Sequence, residues 1–100
     1  MVSQKEFVER IKGLPKTIPS KTKTAAYTKF RLEGDTLFFK RVIPETFWDL
    51  NIKQLYKIYS TNNFINTTVV KKITNGRVNS PSVAILMAIG CIDKVGNKIG

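Results

Sequence analysis

Apolar and polar positions along this chain follow helical spacing in some stretches and strict alternation in others, and each rhythm predicts its own element. Ser3 precedes Glu6 at capping-box spacing. Phe7, Val8, Ile11 and Leu14 then recur at helical intervals until Gly13 and Pro15 intervene, which predicts a short helix over residues 4–12. The next stretch, PKTIPSKTKT (residues 15–24), has two prolines, three lysines and no apolar period, so it is expected to be a basic, extended connector.

Period two takes over from Ala26 to Val42, where YTKFRL and LFFKRV flank EGDT. This reads as a β-hairpin turning at Gly34-Asp35 in a two-residue type II′ turn. That register sets Glu33 opposite Thr36, Leu32 opposite Leu37, Arg31 opposite Phe38, Phe30 opposite Phe39 and Lys29 opposite Lys40. Leu32, Leu37, Phe30 and Phe39 then form a core face, and Tyr27, Lys29, Arg31, Phe38 and Lys40 the other. Facing lysines repel, and a phenylalanine exposed between cations gains nothing from water. A phosphate and a stacked base would relieve both, the pattern of an aromatic platform for single strands. The structural alternative covers Phe38 with the first helix or a partner chain, and a one-residue slip would exchange the faces.

Helical spacing returns once Pro44 has ended the hairpin. FWDL leads to Asn51, a capping residue with Gln54 at the capping-box position, and Ile52, Leu55, Tyr56 and Tyr59 form an apolar stripe opposite Lys53 and Lys57. A helix is expected over residues 52–60, with Trp48 and the tyrosines as core. Asn66 is placed to cap a helix over 67–74 that turns Val69, Val70 and Ile73 inward, exposes Lys71 and Lys72, and stops at Asn75-Gly76. Ser80, Pro81 and Gly90 delimit a last helix of apolar residues. Being apolar all round, it belongs in a core or in a homodimer interface through Val83, Leu86, Met87 and Ile89. The tail, CIDKVGNKIG, has the glycine of a small hairpin.

The whole is an α+β pattern of one small domain, a hairpin near residues 26–42 packed against three to four short helices. The order NIKQLYKIY, NTTVVKKI, SPSVAILMAIG, IDKVGNKI is similar to the general plan of a winged helix-turn-helix module. The likeness lies in element order, without signature residues. In such modules the third helix must offer Arg, Lys, Asn or Gln to base edges, and this one has none beyond its capping end.

Charge sharpens the picture. Seventeen Lys and Arg stand against seven Asp and Glu, a net charge of +10. No acid falls between Glu9 and Glu33, or between Leu50 and Ile92, while cations crowd both gaps. Such clustering attracts polyanions, because neutralising phosphates releases condensed counterions. The expected function is nucleic-acid binding, DNA ahead of RNA, through backbone contacts with weak sequence preference. The candidate residues are Lys21, Lys23, Tyr27, Lys29, Arg31, Phe38, Lys40, Lys71, Lys72 and Arg77. The alternative is a protein-interaction module, a regulator or inhibitor, with a basic surface for an acidic partner.

Other classes fare poorly. Histidine is absent and Cys91 is the single cysteine, which excludes Ser-His-Asp triads, Cys-His dyads, the usual zinc sites and an internal disulfide. KITNGRV has some resemblance to part of a GIY-YIG nuclease motif, but the flanking tyrosines and glycine are missing and no glutamate follows Glu45. EGDTLFFK and DLNIK lack the acid-to-lysine spacing of a PD-(D/E)xK nuclease, and no phosphate-cradling glycine loop occurs. No catalysis and no cofactor are expected. The longest apolar run, Val83 to Ile92, is half of the roughly 20 residues that cross a bilayer, so neither a signal peptide nor an anchor is expected, and the location is expected to be cytoplasmic.

Overall fold

Ser3 begins the first helix as its spacing predicts. Its hydroxyl accepts from the Glu6 amide at 3.2 Å, and helix α1 (Gln4–Lys12) buries Phe7 and Ile11. In this computed structural model, residues 2–20, 25–42, 45–74 and 79–99 are described. Lys21, Lys23, Pro44, Asn75, Gly76 and Arg77 lie outside them. Four strands follow α1: β1 (Thr17–Pro19), β2 (Ala26–Glu33), β3 (Thr36–Arg41) and β4 (Thr46–Asn51). They form one antiparallel sheet in the order β1-β2-β3-β4. Helices α2 (Ile52–Thr61), α3 (Thr67–Thr74) and α4 (Asn79–Ala88) complete the α+β fold.

The sheet is larger than its sequence pattern suggests. β1 lies inside the stretch expected to be a connector: Ile18 is 2% exposed, and Pro19 is tolerated because β1 is an edge strand. β4 is the stretch FWDL, in register with β3 through Phe39 opposite Trp48 and Lys40 opposite Phe47.

The hairpin register holds from the turn to Arg31 opposite Phe38 and then departs from the expected one. Thr28, not Lys29, faces Lys40, so Lys29 and Phe30 together stand opposite Phe39. This is a β-bulge, and Lys29 takes the strain with a φ of 57°. One extra residue inverts the alternation beyond it. Tyr27, expected on the open face, is buried instead, with its ring edge-on to Phe39 at 5.8 Å, while Phe30 stacks on Phe39 from the other side of the bulge.

The inward sheet face shares one core with the helices. Tyr27, Leu37, Phe39 and Leu50 join Phe7, Leu55, Tyr59, Val70 and most of α4 in a single buried cluster. Tyr56 and Tyr59 pack against Phe7 at ring distances of 5.1 and 5.9 Å. Their hydroxyls bind the Val2 backbone: Tyr56 donates to its carbonyl, and Tyr59 accepts from its amide. Asn51 caps α2 by accepting from the Gln54 amide, and Asn66 caps α3 through Val69, both as expected.

In α3 only Val70 is fully buried. Ile73, expected inward, is 40% exposed, because this two-turn helix packs chiefly on α4 and covers a narrow strip. Residues Pro81 to Leu86 of α4 are all buried, and Ile89 follows at 8% exposure. Of the residues expected at a homodimer interface, Val83, Leu86 and Ile89 are therefore covered by this chain itself, and Met87 is half-buried against the same core. Arg10 closes the far end of α4 by donating to the carbonyls of Ile89 and Gly90 at 3.1 and 3.5 Å, where a cation opposes the negative end of the helix dipole.

After α4 the chain makes two isolated bridges, Ile92 with Lys98 and Asn97 with Phe64, in place of a two-stranded wing. Asp93 organises this loop. Amides of Asn97, Gly96 and Val95 donate to its carboxylate, with that of Asn97 contributing most, and hold its pKa below the ordinary carboxylate value.

Candidate nucleic-acid interface

The outward face of the sheet carries the chemistry. Strand pairing sets Phe38 between Arg31 and Asp49, and Lys40 between Thr28 and Phe47. Phe47 is 74% exposed, the largest value among the exposed large hydrophobics of the described residues. A cleft of about 370 Å³ opens here, lined by Lys29, Arg31, Phe38, Lys40 and Phe47 among others.

Cations and rings are interleaved. The Arg31 guanidinium sits 5.1 Å from the centre of the Phe38 ring, and the Lys40 ammonium 5.9 Å from that of Phe47. Each cation also meets an acid: Arg31 with Glu33 at 3.3 Å, and Lys40 with Glu45 at 3.1 Å. The Arg31–Glu33 pair is exposed on both sides and contributes roughly 0–1 kcal/mol, whereas the Lys40 side chain is only 19% exposed in its pair with Glu45. Lys29 makes no ion pair among the described residues. With Glu33, Glu45 and Asp49 all close by, the local surplus of positive charge is small, and the open aromatic surface is what sets this face apart.

Of the residues singled out from sequence, Lys29, Arg31, Phe38 and Lys40 meet in this cleft. Tyr27 does not. Burial raises its phenol pKa, the Arg41 guanidinium partly opposes the rise, and the ring is closed to ligand. Lys71 and Lys72 are exposed on α3, in the helical layer, and do not line the cleft. Phe47 was missed because no strand was expected there. The alternation of Phe47 and Asp49 against Trp48 and Leu50 was the available signal.

Other chemistry is sparse. Among the described residues, no group of three or more His, Cys, Asp or Glu is placed to hold a metal ion. Cys91 is buried, and burial raises its thiol pKa against the opposing charge of Arg10. No helix among the described residues is long and apolar enough to cross a membrane. Comparison with known protein families, characterised proteins and solved structures finds no match to the chain.

Proposed function

We propose that this protein binds single-stranded nucleic acid on the open face of its sheet, with weak sequence preference. Bases stack on Phe47 and Phe38, and Lys29, Arg31 and Lys40 hold phosphates. The observation that carries this reading is Phe47, an aromatic ring 74% exposed on β4 with the Lys40 ammonium 5.9 Å from its centre. Stacking suits a strand of any sequence, since every base has a π-face, and is worth about 1–3 kcal/mol per base. A duplex hides those faces. Moreover, α4, the helix in the position of a groove reader, is committed to the core.

Fluorescence anisotropy with labelled single-stranded DNA, single-stranded RNA and duplex DNA tests the proposal. Phe47→Ala is expected to weaken single-strand binding about tenfold and duplex binding far less. Equal losses on both, or none, would remove the platform.

A second reading, docking of an acidic protein, draws on a different place. A groove of about 650 Å³ between α2 and α3 is lined by Lys53, Lys57, Ile58 and Ile73 among others, and Ile73 is 40% exposed. Binding of that kind would be lost in Ile73→Asp and untouched in Phe47→Ala.

A further inference from the structure

We infer that the bound strand does not end at the platform but crosses Lys29 into a second cleft at the sheet edge, where Lys16 and Lys29 take a further phosphate. This inference rests on the sheet-face reading and adds a second subsite to it. The second cleft, about 340 Å³, is lined by Leu14, Pro15, Lys16, Thr28, Lys29 and Phe30. Lys29 lines both clefts, so they meet at that residue.

The backbone explains why they meet. β1 pairs with β2 only as far as Thr28, whose hydroxyl donates to the Lys16 carbonyl at 2.7 Å. At the next residue β2 bulges, and beyond it β2 has no paired strand on that side among the described residues. The bulge sets Lys29 where the open face turns into the open edge. Its φ of 57° is the one positive value at a non-glycine residue among those described, in a conformation that glycine adopts without strain. A lysine kept there at a conformational cost points to use of its ammonium group.

The two clefts differ in charge. On the platform Arg31 and Lys40 each share a carboxylate. Neither Lys16 nor Lys29 forms an ion pair among the described residues. The edge cleft is therefore the stronger anion site, and the platform the stronger base site. Three strand spacings separate β4 from the position of β1, about 14 Å. At roughly 3.4 Å per stacked nucleotide, about four nucleotides cover that path. A trinucleotide fits the platform alone, whereas an octanucleotide reaches both clefts.

Titration of the full chain with labelled trithymidylate and octathymidylate at several salt concentrations tests this. Lys16→Ala is expected to weaken the octanucleotide about fivefold, to reduce its log–log salt slope by about 0.7, and to leave the trinucleotide unchanged. Phe47→Ala weakens both. Lys29→Gly should weaken the octanucleotide without lowering the thermal midpoint, a combination that a purely structural Lys29 would not produce. If Lys16→Ala leaves the octanucleotide unaffected while Phe47→Ala still weakens it, the second cleft is overturned and the platform stands. If the unaltered chain binds neither oligonucleotide, both fall.

Discussion

At the scale of single residues, backbone conformation decides more here than side-chain identity. Gly34 and Gly96 both adopt positive φ, 58° and 112°, yet their surroundings differ. A Cβ on Gly34 would meet open space, so Gly34→Ala is expected to cost only the left-handed strain, about 1 kcal/mol. A Cβ on Gly96 would collide with the Ile65 carbonyl, and relieving that clash breaks the bond from the Ile65 amide to the Gly96 carbonyl at 2.8 Å. Gly96→Ala should cost at least about 3 kcal/mol. Chemical denaturation of the two variants side by side checks the contrast, and equal losses would contradict it. Lys29 shows the same physics in reverse. No glycine, asparagine or aspartate marks the bulge, so nothing local in KFR revealed that the register would shift there.

Among the elements, the helices were the most legible. Ser3, Asn51 and Asn66 each cap the helix their spacing implies, because capping is a contact within a few residues and needs no tertiary partner. The turn at Gly34-Asp35 was legible for the same reason. β1 and β4 were not. TIP is too short to display a period, FWDL alternates over four residues only, and each becomes a strand because a neighbour offers unpaired backbone groups. The platform inherited that gap: its β3 half was visible, and its most exposed ring, on β4, was not. For α4 the sequence left core and interface open, and burial of Leu86 at 0% exposure places it in the core. Leu86→Ala is accordingly expected to destabilise the fold by about 2–5 kcal/mol in thermal or urea unfolding. A loss below about 1 kcal/mol would mean that this helix is not the centre of the core.

For the molecule as a whole, a net charge of +10 does not translate into one uniform binding surface. Cations stand on the open sheet face and, as Lys71 and Lys72, on the helical layer. If every surplus charge met a phosphate, the log–log salt slope for a single strand would approach about −7. Contacts from Lys29, Arg31 and Lys40 alone predict about −2, and a fourth from Lys16 about −3. A slope near −2 to −3 for an octanucleotide is therefore expected. A value near −7 would show that the strand wraps the protein instead of crossing one face. Finally, the Arg10 side chain reaches the Ile89 carbonyl across 79 positions of sequence. Contacts of such separation raise contact order and slow folding. Phe7 of α1 packs on Tyr56 and Tyr59 of α2, so during synthesis the apolar stripe of α1 stays open to chaperones until α2 has followed, and the Arg10 clasp on α4 closes later still.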